Sequence, residues 1–175
     1  MKKNYMVMIF SIILLQNVFA GGTKETEVKT VEYVDMEKFS GKWLVAALIP
    51  SPLEKNAQRG LETYTVKENG EIDIEYSYYK NNKPEKKKVM TQKGWIIDSS
   101  TNAHWKISPL WPLKFNYYII ELADDYSYTV IGTDSMNYLW IMVRRDAFDG
   151  FDLEGIINSM TEKGYDRNKI KIMNQ

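Results

Sequence analysis

The sequence contains no cysteine. Disulfides, thiolate metal sites, cysteine nucleophiles and lipidation of a cysteine are therefore all excluded. A single histidine, His104, is too little for a histidine-based metal centre or a Ser-His-Asp triad. No metal and no other cofactor is expected. Charge of one sign is also missing: 23 basic and 23 acidic residues cancel, so no basic field exists to hold nucleic acid. With 5 Pro and 10 Gly in 175 residues, the chain is neither collagen-like nor low in complexity. Aromatic residues are plentiful instead. They make up 13% of the chain, with 12 Tyr and 5 Trp, a large flat apolar surface to bury or to offer a ligand.

The first twenty residues read as a signal peptide. Lys2 and Lys3 precede the apolar run from Met6 to Leu15, and Val18-Phe19-Ala20 ends on small residues that a signal peptidase accepts. The run is short for a membrane span, which needs about 20 residues. Phe19-Ala20-Gly21 resembles the stretch before a lipidated cysteine, but Gly22 follows, so an acyl anchor is not expected. Residues 21–33 are polar and read as a tether, leaving one domain over 34–175.

From Gly41 onward, short apolar or alternating runs recur between turn residues. They cover Trp43–Ile49, Leu61–Val66, Ile72–Tyr78, Lys87–Ile97, Ala103–Ser108, Tyr117–Leu122, Tyr128–Gly132 and Tyr138–Arg144. Asn69-Gly70 between the second and third runs predicts a hairpin with positive φ at both residues. After the eighth run the period changes. Leu153, Ile156, Ile157 and Met160 form one apolar stripe on a helix, with Asp152 as N-cap and Gly164 as stop. Lys169-Ile170-Lys171-Ile172 alternates again as a short edge strand guarded by lysines. Eight consecutive antiparallel strands are best relieved of their edges by closure, which predicts an all-β, eight-stranded up-and-down barrel with one helix docked outside.

Three segments carry a family resemblance. Gly41-Lys42-Trp43, after the helical-looking lead Val34–Phe39, resembles the Gly-x-Trp signature of the lipocalins. Thr133-Asp134 ahead of Tyr138-Leu139-Trp140-Ile141 resembles the second family motif, and Arg144 matches the third-motif arginine. Glu54-Lys55-Asn56, Thr63–Val66 before Asn69-Gly70, Asp125–Tyr128 and Gly164-Tyr165-Asp166 narrow the likeness to the bacterial outer-membrane lipocalins, with apolipoprotein D more distant. The resemblance implies structural roles for Gly41, Trp43, Thr133, Asp134 and Arg144, with Trp43 closing the narrow end and Arg144 stacked across it. It also implies export into a Gram-negative envelope, in the periplasm or against the outer membrane; bacterial members usually carry a lipidated cysteine after the signal peptide, and because cysteine is absent here no lipid anchor is expected.

Alternation assigns inward positions. These are Ile74, Tyr76 and Tyr78 on the third strand, Trp105 and Ile107 on the fifth, Tyr118 and Ile120 on the sixth, and Tyr138 and Trp140 on the eighth. Lys114 stands near the open end, where it could meet a phosphate. Together they form an aromatic-walled cup for an amphipathic guest, which the resemblance identifies as a fatty acid or lysophospholipid. Two other readings stay open: a lipid- or isoprenoid-modifying enzyme, for which no acid–base pair or nucleophile signature is found, and a barrel filled by its own aromatics. Pro109–Phe115, apolar and twice broken by proline, is a candidate for peripheral membrane contact.

Overall fold

Hairpin-length connections leave each strand to pair with its predecessor, and the computed structural model, which describes residues 28–175, lies down as a meander. Its strands are β1 (Gly41–Ile49), β2 (Ala57–Val66), β3 (Glu71–Lys80), β4 (Lys87–Ile96), β5 (His104–Ser108), β6 (Phe115–Leu122), β7 (Tyr128–Gly132) and β8 (Leu139–Val143). Strand β1 pairs antiparallel with β2 along one edge and with β8 along the other, which closes an eight-stranded barrel. The expected signal peptide and residues 21–27 of the expected tether lie outside the described residues. The end of that tether is pinned, with the Val31 N–H donating to the Ile119 carbonyl at 3.1 Å, and just beyond it the Val34 N–H donates to the Thr101 carbonyl at 2.8 Å.

Two turns differ from expectation in an informative way. Between β2 and β3 only Gly70 is left-handed, with φ +79°, and the Lys67 N–H donates to the Glu71 carbonyl across a three-residue loop. A single glycine in that conformation suffices for this loop length, so Asn69 need not share it. The paired left-handed residues sit instead at Asn81 and Asn82 between β3 and β4, each with φ 55°.

Outside the barrel lies helix α2 (Leu153–Glu162), whose N-cap Asp152 accepts from the Gly155 N–H and whose stop, Gly164, has φ +104°. Its stripe buries Ile157 and Met160 against Val130, Leu139 and Ile141, the outward face of β7 and β8. Strand β9 (Lys171–Ile172) takes the edge of β1 at Ala47 and Leu48, beyond the last residue that β2 reaches. Strand β2 peels away there through a register shift between Gln58 and Leu61, and the chain end fills the gap, with Met173 buried.

Candidate functional site

Helix α1 (Met36–Phe39), capped by the Asp35 side chain, crosses the narrow end of the barrel and inserts Phe39 beneath the strands. Phe39 packs edge-on to Tyr64 and Trp105 at 5.2 and 5.5 Å, and tilted on Trp43 at 5.3 Å. This cluster forms a solid base, dominated by rings with no solvent exposure. Across it, the Arg144 guanidinium lies 3.6 Å from the Trp43 ring centroid. The same guanidinium donates to the carbonyls of Lys38, Phe39, Ser40 and Lys42 at 2.6–3.1 Å. It thereby holds the carbonyl end of α1 and stacks on the ring below. Gly41 enters β1 with φ +95°, a conformation that residues with a Cβ rarely adopt, and a Cβ there would lie 3.5 Å from Arg144 Nη1. Gly41, Trp43 and Arg144 thus meet at the narrow end of the barrel.

Thr133 and Asp134, the other two motif positions, lie apart from these three. They follow β7 at the end where Gly132 pairs with Leu139, whereas Arg144 follows β8 at the opposite end, where Tyr128 pairs with Val143. They therefore stand at the mouth, and Asp134 accepts hydrogen bonds from Tyr118 at 2.6 Å and Asn116 at 2.8 Å. The tyrosine serving the base is Tyr126, whose hydroxyl accepts the Asp35 N–H at 2.8 Å.

Above the aromatic base the barrel opens into a cavity of about 440 Å³. That lies within the range of small-molecule sites. Of the residues read as its wall, Tyr76, Ile107, Tyr138, Trp140 and Lys114 line it. Ile74 and Tyr78 also face the interior, where Ile74 is part of the packed core and the Tyr78 hydroxyl is tied to the Leu53 carbonyl at 2.8 Å. Trp105 faces inward but lies below the cup, stacked on Tyr117 and with Nε1 bonded to the Asn102 carbonyl. Lys114 reaches over the rim, with Nζ 4.3 Å from the Trp95 ring centroid.

Tyr118 and Ile120 point the other way. Tyr118 stacks on His104 at 4.4 Å on the outer face, and Ile120 packs with the α2 cluster. The inward residues of β6 are Tyr117 and Ile119. Tyr117–Ile120 is apolar on both faces because the cup lies on one side and docked structure on the other. Hydropathy alternation therefore cannot choose the parity.

The structure adds a polar floor that the aromatic reading passed over. Glu62 on β2 is 3% exposed. Tyr64 donates to its Oε2 and contacts the Tyr117 hydroxyl, and Tyr117 reaches the same oxygen at 3.4 Å. Burial pushes the Glu62 carboxyl up to about 7, against the opposing pull of the two phenol hydrogen bonds. Burial and the adjacent Glu62 charge hold the Tyr64 phenol well above its ordinary value. A second buried acid, Glu54, accepts from Trp140 Nε1 and from the Ser51 N–H, both at 2.9 Å. It fastens the β1–β2 connection to the cup wall. The signal for Glu62 was parity: Tyr64 faces inward, so the residue two before it must do so too.

Comparison with known proteins agrees with this geometry. The family model for a lipocalin-like domain matches residues 34–175. The outer membrane lipoprotein Blc of Vibrio cholerae is 26% identical over 149 residues, covering 85% of this chain and 86% of that protein. Temperature-induced lipocalin-1 of Arabidopsis thaliana is 26% identical over 163 residues, covering 85% and 83%. Among solved structures, insecticyanin from Manduca sexta superposes with a TM-score of 0.62 at 15% identity, covering 85% of each chain. Lobster apocrustacyanin A1 gives 0.59 at 12% identity, covering 81% and 79%. These two likenesses concern the fold.

Proposed function

Because this chain belongs to the lipocalin family, we propose that its cup takes up a single-chain amphiphile, a fatty acid or lysophospholipid, and carries or stores it in the cell envelope. Binding of a small hydrophobic ligand is the family's general capacity. The observation that carries the finer reading is the 440 Å³ cavity, walled by Tyr76, Ile107, Tyr138 and Trp140 above the aromatic base. Such a shape admits one chain lengthwise, and its rings give apolar contact with polar edges.

Lys114, held over Trp95 at the rim, is the cation placed to meet a phosphate or carboxylate left at the mouth. Beside it Leu110, Trp111, Leu113 and Phe115 are 48–77% exposed, and this rim rests on a lipid surface during loading. Envelope location is supported by the basic-then-apolar leader of residues 2–20 and by relatives named as outer membrane lipoproteins. Binding rather than catalysis is the function proposed, because the acids of the cup are tied to structural partners: Glu54 through both oxygens to Trp140 and Ser51, Glu62 through Oε2 to two tyrosines.

Titration with fatty acids and lysophospholipids of increasing chain length, followed by intrinsic tryptophan fluorescence, tests this. Each buried CH₂ contributes about 0.8 kcal/mol, so affinity should climb with length and then level off as the cup fills. Unchanged fluorescence and an unchanged thermal midpoint at saturating ligand would favour the filled barrel instead.

A further inference from the structure

A cup meant only for hydrocarbon would be dry and apolar to its floor, and this one is not. Tyr76 is 2% exposed, lines the cavity, and its hydroxyl has no hydrogen-bond partner. It is the cross-strand partner of Glu62, so both side chains share the inner face at the same level of the barrel. Both tyrosine hydroxyls that reach Glu62 arrive at Oε2. Gly60, one inward position above Glu62, lets the Tyr76 hydroxyl pack close to β2 beside Val45 and Met173, since a Cβ there would lie 2.9 Å from each of those two side chains and 3.2 Å from the hydroxyl oxygen.

We propose that the floor formed by Glu62 and Tyr76 is a subsite for a hydrogen-bond-donating group on the inserted end of the ligand, so that the preferred guest is a long-chain fatty acid bearing a hydroxyl remote from its carboxylate. This rests on the cup being an amphiphile site. A plain alkyl terminus would leave the Tyr76 hydroxyl unpaired and a carboxylate facing hydrocarbon, both unfavourable. A carboxylate inserted head-first would meet Glu62 and Glu54, charges of its own sign. A hydroxyl donates its proton to Glu62 and accepts that of Tyr76, satisfying both. Glu62 is 3% exposed, so bulk water has little access to that carboxylate and a ligand hydroxyl there meets little competition. Sites built around a ligand hydroxyl discriminate strongly against the analogue lacking it.

The test uses the full chain and a length series of ω-hydroxy fatty acids, each beside its plain parent and the matching dicarboxylic acid, with dissociation constants from tryptophan fluorescence. At the length that reaches the floor, the hydroxy acid should bind about tenfold or more tighter than its parent, and at about pH 8 the dicarboxylate more weakly than both. Glu62→Gln and Tyr76→Phe should each shrink that advantage, read within each variant as the ratio of the two dissociation constants, chiefly because the plain acid no longer meets an unpaired polar group; Tyr76→Phe, a near-isosteric change, guards against a folding defect in the other variant. Hydroxy and plain acids binding equally at every length, or an advantage that survives both substitutions, would overturn the polar floor and leave the carrier reading standing. Absence of binding by every acid in the series would overturn the carrier reading and this proposal with it.

Discussion

Glu62→Gln should make the fold more stable, and increasingly so as pH rises. The substitution keeps an oxygen to accept from Tyr64 and Tyr117 and removes only the charge. Burial raises the Glu62 carboxyl from the ordinary 4.5 to about 7, whereas in the unfolded chain it titrates near its ordinary value. The folded state therefore binds this proton more tightly. Between the two values stability falls as pH rises, and above about 7 the whole penalty is present. At about 1.36 kcal/mol per pH unit, the interval from 4.5 to about 7 corresponds to about 3 kcal/mol. All other groups are common to both proteins, so the stability difference between variant and wild type should grow by about this amount from about pH 4 to about pH 8. Urea unfolding followed by tryptophan fluorescence at a series of pH values reads it directly, with equal m-values as the check that only stability has changed. A difference that stays flat with pH would refute the reasoning, because it would mean that water reaches Glu62 as freely as it reaches a surface carboxylate.

Truncating the fully buried Trp43 to alanine should cost about 3–5 kcal/mol, and a double-mutant cycle with Arg144→Ala in urea should show coupling of about 1–2 kcal/mol from the stacked contact; simple additivity would remove that account. Trp140→Arg should abolish amphiphile binding by placing a charge in the cup, provided circular dichroism shows a folded barrel. Ile141→Asn, on the opposite face, should leave affinity intact and lower the thermal midpoint by loosening α2. Tyr118→Ala should leave the dissociation constant within about twofold, since its ring lies outside; a large loss would restore it to the wall. Gly132→Ala should cost about 1–3 kcal/mol, because its new methyl would collide with the Tyr165 hydroxyl.

What could be read from the sequence divides along physical lines. Strand β7 runs over the residues where its apolar run was expected, and the α2 stripe docks by the side chains its spacing selected. Face was legible wherever one side of a strand met water, as on β3, where Ile72, Ile74, Tyr76 and Tyr78 all turn inward. It was illegible on β6, where both sides are covered. Height along the barrel axis leaves no mark on alternation at all: Trp105 and Ile107 share a face, yet one is in the base and the other in the cup wall. The likeness of Thr133 and Asp134 to a family motif carries no height along the axis either, whereas the five residues of β8 between them and Arg144, at about 3.3 Å each, put them at the far end. Glu62 was passed over because a search for apolar lining discounts a carboxylate that parity puts inside.

The clamp formed by Arg144 joins segments 102 to 106 residues apart, and the seam it seals, Leu44 opposite Val143, is nearly as distant. The hairpins from β2 to β7 close over short loops, but the seam must wait for the last meander strand, a topology that folds slowly. On a ribosome adding about 5–20 residues per second, roughly 5–20 s separate the synthesis of β1 from that of its closing partner. Throughout that interval β1 presents Leu44–Ile49, a run buried to the last residue in the finished barrel, with one edge unpaired. Such an edge templates association with other chains. Nascent chain is therefore most vulnerable at its first strand, and a factor that shields apolar edges before closure would raise the yield of folded protein without altering its final stability.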